Sequence, residues 1–367
     1  MSEPNGNDPN GNGANGNGAD GSDGAKDGIL YIGIDLGTSR TSVAASNGVR
    51  ETVWSYVGYA KDHVARKVLG KDKLFGREAV EQRLSLDLVR PFAEGSLKHG
   101  DIDEANLEKQ MQAAKDLVQH AVSLCKPRKD ELIYGVIGAP AQASIQNQQL
   151  LLDAASEVLD AAMICSEPFA VAYGLDLLRD TLVVDIGAGT VDLCRLHGTM
   201  PAPDDQITLT TAGDWLDKQL FSLIQEKAPG ADYTIHYVKE AKEKHAYVTD
   251  EGNAIELELL VNGKPTKHDM TTTMREGCRM IVPPIVDSLH KLVSTFDPDF
   301  QRKLREHVLL AGGGSQIHGL DVILEAAMKD MLGSGKVTKV EEPQYAGANG
   351  ALKMAHDTPE EYWKRLE

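Results

Sequence analysis

From Ile29 onward, short apolar runs alternate with stretches of helical period. Ile29–Ile34 predicts a buried strand ending in a glycine-containing turn, with Thr41–Ala45 returning from it. Residues 107–124 place Leu107, Met111, Ala114, Val118, Ala121 and Val122 on one helical face. Leu132–Ile137 predicts the next strand, 145–160 a helix and Ala162–Cys165 a short strand. Pro168 suits a first helical turn and opens a helix to about Leu178. Thr181–Ile186 and Val191–Leu196 predict two strands about another tight turn. Trp215–Glu226 is amphipathic through Leu216, Leu220, Leu223 and Ile224. Ala254–Val261 reads as a strand closed by the hairpin pair Asn262-Gly263. A helical pattern over 271–295 is interrupted by Pro283-Pro284, then come a strand at His307–Leu310 and a helix from about Gly319. Helices alternating with apolar strands predict an α/β fold whose sheets are covered by helices.

The first 28 residues break this pattern. They repeat Asn-Gly and Asp-Gly steps and contain no Val, Ile, Leu or aromatic residue before residue 29, so they bury too little to offset the entropy of ordering. The expectation is a disordered tail; a calcium-binding Gly/Asp repeat is the sharper alternative. The whole chain of 367 residues is 41% hydrophobic, enough for two or three domains at roughly 150 residues each. Its 38 Lys+Arg against 55 Asp+Glu leave a net charge of −17, which argues against nucleic acid or an anionic membrane as a partner. No apolar run approaches the ~18 residues of a membrane span. No secretory signal is visible, and four scattered cysteines without a CxxC pair predict reduced thiols and a cytoplasmic setting.

One pattern occurs twice. Asp35-Leu36-Gly37-Thr38 and Asp185-Ile186-Gly187-Ala188-Gly189-Thr190 each follow an apolar strand and precede another, and the two aspartates lie 150 residues apart. Glycines let a backbone approach polyphosphate closely, and Thr or Ser hydroxyls add donors. An Asp beside phosphate would repel it unless a hydrated magnesium ion lies between them. Two such turns facing one ligand would clamp its phosphates and set the metal between Asp35 and Asp185. The bland alternative for either turn alone is an ordinary hairpin braced by its Asp. A third run, Ala311-Gly312-Gly313-Gly314-Ser315, leads from a strand toward a helix, where a flat purine or ribose could lie against bare backbone.

With Gly33-Ile34-Asp35-Leu36-Gly37-Thr38, Val184–Thr190 and Ala311–Gly314, the chain resembles the actin-like ATPases. That superfamily spans actin, heat-shock chaperone ATPases, sugar kinases and bacterial filament proteins. Ser166-Glu167-Pro168-Phe169-Ala170-Val171-Ala172-Tyr173-Gly174 resembles the segment connecting its two large domains, and the order of motifs fits across 29–357. Val57–Asp62, Glu167–Leu175, Asp204–Thr210 and Pro359–Trp363 are similar to the bacterial, MreB-like branch, within it to the filaments that organise magnetosomes.

The resemblance implies Mg2+ and ATP/ADP as ligands. Catalytic roles fall to Glu167, which would orient the attacking water, and to Asp185; metal binding falls to Asp35 and Asp185. Nucleotide contacts fall to Gly37, Thr38, Ser39, Arg40, Gly187, Ala188, Gly189, Thr190, Lys239, Gly312, Gly313 and Gly314. For Glu167 a plain helix N-terminal carboxylate is the alternative, and both can hold at once. Purine contacts are open: His236 stands where the family's Glu is expected, Lys239 is a candidate, and a shifted register would offer Glu240 or Lys242. Against all of these stands a solvated charged face through Lys239–Lys244.

The implied architecture is an actin-like fold of two related domains with nucleotide in the cleft. Domain I takes 29–167 plus 341–367, with a small subdomain at about 54–106; domain II takes 168–340, with one at about 206–270. The implied function is an ATP-dependent filament protein whose partners are its own protomers, ATP and magnetosome-associated proteins. The rivals are a metabolite kinase of the same fold and a bacterial actin serving cell shape or plasmid segregation. A chaperone would be expected to carry a substrate-binding domain beyond the ATPase.

Overall fold

A computed structural model describes residues 28–92 and 104–366. The tail expected to be disordered (1–28) and part of the 54–106 stretch lie outside the described residues, save for Gly28 of the tail.

Two five-stranded sheets are built on one plan. In the first, Ile29–Leu36 is antiparallel to Arg40–Ala45, which is antiparallel to Arg50–Trp54 at the edge. On its other side Ile29–Leu36 runs parallel to Leu132–Ala139, and that strand parallel to Ala161–Ser166. The second sheet repeats the order: Gln206–Leu209, Val191–His197 and Arg179–Ile186 are antiparallel neighbours, then Val308–Ala311 and Val337–Lys339 run parallel. Short glycine-containing turns join three of the antiparallel pairs and residues 198–205, ending in the 3-10 turn Pro203–Asp205, join the fourth, whereas each parallel pair needs a crossover. Helices Glu104–Leu124 and Ile145–Ala155 supply these crossovers in the first half, and Leu320–Leu332 does so between the last two strands of the second.

Helices on the outer face of each sheet enclose separate cores. Ile32 and Ile34 meet Leu117, Val118 and Leu151 in one, and Leu182, Val184 and Ile186 meet Leu216, Leu220 and Leu289 in the other. A third core is shared between the halves. Tyr134 and Val136 of the first sheet and Val183 and Leu309 of the second enclose helices Glu167–Gly174 and Ala346–Asp357. Trp363, fully buried, stacks on Tyr134 with ring centroids 5.0 Å apart and fixes the chain's last helix beneath the first sheet.

Each half also carries a small three-stranded lobe. Val57–Ala60 is flanked by Lys73–Phe75 and Leu86–Val89 in one, and Glu256–Val261 by Ala231–Asp232 and Lys264–Asp269 in the other. Asn262 and Gly263 both adopt positive φ, as a two-residue hairpin of this twist requires. Strand Gln206–Leu209 belongs to the large second sheet, so the small lobe occupies only the later part of 206–270.

The helical pattern over 271–295 divides into Thr271–Arg279 and Val282–Ser294. The break precedes Pro283-Pro284 because proline fits the first turn of a new helix but not the interior of an old one. The helix expected over 145–160 ends at Ala155, and that expected to reach Leu178 ends at Gly174.

Candidate functional site

Between the two sheets lies a cavity of about 490 Å³, within the usual range for small-ligand sites. The residues to which the resemblance gave nucleotide, metal or catalytic roles line it: Asp35, Gly37, Thr38, Ser39, Arg40, Glu167, Asp185, Gly187, Ala188, Gly189, Thr190, Lys239, Gly312, Gly313 and Gly314.

The two glycine turns are held from behind. The carbonyls of Gly37 and Ser39 accept from Ser55 Oγ at 2.6 Å and Ser55 N–H at 2.9 Å, and that of Thr38 from Arg90 Nε at 2.8 Å. In the second turn, the carbonyls of Gly187 and Ala188 accept from the N–H groups of Gly213 and Asp214 at 3.2 and 2.8 Å, the start of helix Gly213–Lys227. A trans peptide points its C=O and the following N–H in opposite directions. Tying these carbonyls therefore turns the N–H groups of Thr38, Ser39, Ala188 and Gly189 to the opposite side, the arrangement that receives an anion.

Between the turns stand four carboxyl groups, Asp192 buried and Asp35, Glu167 and Asp185 half-buried in the cavity wall. Burial pushes Asp35 up to about 6. Glu167 and Asp185 rise well above the ordinary range, by burial first and then by the charge of Asp35 and Asp192. Burial also raises Asp192, although Thr208, Thr190 and the Ala141 N–H donate to it. Close backbone passages permit this crowding. A Cβ on Gly138 would stand 3.3 Å from Glu167 Cγ, one on Gly347 would stand 2.9 Å from Asp35 Oδ2, and one on Gly312 would overlap Asp185 Oδ1. Gly347 lies in the first turn of helix Ala346–Asp357, where the dipole favours a carboxylate.

A cation suits this cluster, since it would offset the cost of keeping enclosed carboxyl groups charged and, at Glu167 and Asp185, the repulsion from their neighbours. Among the described residues no three His, Cys, Asp or Glu side chains are placed to ligate one ion directly. The donor set therefore fits an ion that keeps much of its water shell, as magnesium does.

At the other end of the cavity, Gly313 has nothing within 4 Å of where a Cβ would be, so a flat ligand can reach its backbone. Helix Ile235–His245 turns Lys239, Lys242 and Glu243 toward the cavity, while His236 and Glu240 lie outside its lining. Lys239 Nζ donates to Ser39 Oγ at 2.6 Å, and Arg40 pairs with Glu243 at 3.3 Å, both across the cleft. Lys242 is held by Asp217 at 2.7 Å and by the Gly213 carbonyl.

Sequence reasoning missed Asp192, Asp214, Glu243 and Arg90. For Asp192 a signal existed: counting back from the turn places it directly opposite Asp185 in the hairpin, as Ser42 is opposite Asp35. For Arg90 and Asp214, 124 residues apart, no local pattern could have indicated a contact.

Comparisons with known proteins bear on the family and the fold. A family model described as MreB/Mbl protein matches residues 30–361. The chain is 40% identical over 337 residues to the actin-like protein MamK of Magnetospirillum gryphiswaldense, covering 92% of each. Among solved structures, the MamK double helical filament superposes with a TM-score of 0.86 at 38% identity, covering 90% of this chain and 100% of that one. A non-polymerising MamK mutant bound to AMPPNP superposes at 0.69, also 38% identical, with 90% and 99% covered.

Proposed function

We propose, from the premise that this chain belongs to the MreB/Mbl family, that it binds Mg-ATP between its halves and uses hydrolysis to control its own filaments. It is a polymerising actin-like cytoskeletal protein of a nucleotide-binding ATPase family. The finer reading assigns hydrolysis of ATP to ADP and phosphate, filaments that position magnetosomes, and domain limits of 29–167 plus 341–367 and 168–340. The observation that supports it best is the pair of glycine turns with tied carbonyls facing a largely enclosed carboxylate cluster.

In this reading the N–H groups of both turns receive the phosphates, with Thr38, Ser39 and Thr190 adding hydroxyls. Lys239 and Arg40 now hold Ser39 and Glu243 respectively, and an incoming phosphate would compete for both cations. Asp35 and Asp185 would hold hydrated magnesium, which when bound neutralises charge on the phosphates. Glu167 orients a water and takes its proton as the water oxygen attacks the γ-phosphorus and the bond to the β-phosphate oxygen breaks. Burial and the neighbouring Asp35 raise its proton affinity, the property such a base needs. The purine and ribose lie toward Gly313, Lys242 and Glu243.

High-speed sedimentation with and without Mg-ATP tests this, run beside the Asp185→Ala variant. Pelleting of the native chain that depends on ATP and magnesium, lost in the variant without loss of folding, is the expected result. Pelleting indifferent to both would overturn the nucleotide control.

A further inference from the structure

The two nucleotide-facing turns are connected by a side chain that belongs to neither. Arg90 directly follows strand Leu86–Val89 of the first small lobe. Its Nε donates to the Thr38 carbonyl at 2.8 Å, while Nη1 and Nη2 grip Asp214 at 2.7 and 3.1 Å. Asp214 in turn donates its backbone N–H to the Ala188 carbonyl at 2.8 Å. The bonds Thr38–Arg90–Asp214–Ala188 thus run from one turn to the other without passing through either sheet.

Three features make this bridge more than a surface ion pair. Its members are only 22% and 23% exposed, so water screens them less than a free pair. The guanidinium bonds in two directions at once, with Tyr56 beside it at 5.7 Å, a geometry that a single ammonium point charge does not reproduce. Arg90 also stands outside the cavity lining. Asp214 does line the cavity, as do both partners of the other contacts across the cleft, Lys239 with Ser39 and Arg40 with Glu243. In those contacts, however, the cation itself faces the ligand and a nucleotide would redirect it, whereas Arg90 does not face it. The Arg90 bridge can persist with the ligand in place.

We propose that Arg90 is a positioning residue: by tying Thr38 to Asp214, it fixes the spacing of the two phosphate-binding turns and makes that spacing depend on the position of the first small lobe. The inference rests on the nucleotide reading above. A displaced lobe loosens the clamp, and a seated lobe holds it closed, so any contact made on that lobe is felt at the phosphates.

Release of a fluorescent ATP analogue, chased with excess ATP, tests the bridge in the full-length protein, with kcat and KM for ATP measured alongside. Arg90→Ala should release nucleotide roughly tenfold faster, what loss of one shielded charge-assisted pair supplies, and should lower kcat. Arg90→Lys, which keeps the charge but not the fork, should fall between. Asp214→Asn should also speed release, and the double variant Arg90→Ala/Asp214→Asn should be no faster than the worse single variant, because both break one bridge. Additive effects, or native release rates in Arg90→Ala, would overturn the proposal. Should Arg90→Ala melt early, Arg90→Lys and Asp214→Asn carry the same comparison, and native release in both overturns it. Failure of the unmutated chain to retain the analogue overturns the nucleotide reading itself, a result visible before any variant is made.

Discussion

Gly350 and Ala170 touch backbone to backbone where the two helices between the sheets cross. A Cβ on Gly350 would overlap the Ala170 carbonyl, and a Cβ on Gly174 would come within 3.0 Å of Gly350 Cα. Helices Glu167–Gly174 and Ala346–Asp357 approach this closely only because side chains are missing at the crossing.

Gly350→Ala therefore sets two effects against each other. Alanine favours an exposed helix by about 1 kcal/mol, but overlap with a backbone carbonyl in a packed core costs about 1–3 kcal/mol or more. The steric effect should win, with melting a few degrees below the native protein. A melting temperature at or above native would show that the helices separate easily.

Gly313→Ala should behave oppositely. Its φ is not positive and a Cβ there meets nothing, so thermal stability should stay within about 0.5 kcal/mol of native. The methyl group enters the space assigned to the ligand, so ATP affinity measured by calorimetry should fall. Unchanged affinity would move the nucleotide away from the third glycine run.

Glu167→Ala should slow phosphate release by roughly 10²–10⁴, the range for a positioned acid–base group. Binding should survive, since both turns and the aspartates proposed to hold the metal are untouched. Light scattering in the same sample should show filaments that persist after free nucleotide is removed. Normal phosphate release would place the water elsewhere, and joint loss of binding and assembly would make Glu167 a structural residue.

Arg195 and Asp205 form an ion pair in the second half, with side chains 7% and 6% exposed. Burial pushes Asp205 up, but the Ala202 N–H, the Arg195 guanidinium and His197 outweigh it and hold the carboxyl below its ordinary range. Arg195 also donates to the Leu292 carbonyl at 2.7 Å, closing the end of helix Val282–Ser294. Asp205→Asn leaves a buried unpaired cation and should cost about 3–5 kcal/mol at neutral pH. A carboxyl depressed on folding adds stability above its unfolded value, about 3.9, and loses it as pH falls through the lower folded value. The gap in melting temperature between native and variant should thus narrow below about pH 4. A gap constant down to pH 2 would mean that charge on Asp205 contributes nothing.

What the sequence determined by itself is local. An apolar strand, an aspartate and a glycine turn fix a hairpin within a dozen residues, so Asp35, Asp185 and the backbone around them were legible from neighbours alone. The same holds for the Asn262-Gly263 turn and for the helix opened by Pro168. Tertiary structure decided whatever depends on how distant elements dock. Helix Ile235–His245 carries charge on most of its surface, and period cannot say which charges face inward; docking of the small lobe turned Lys239, Lys242 and Glu243 to the cleft and left His236 and Glu240 outside its lining. Arg90 and Asp214 form no motif, because a contact between separate halves leaves no periodic trace in the chain. The raised carboxyl groups belong to this second class: aspartate and glutamate are ordinary acids in sequence, and only burial beside one another changes their proton affinity.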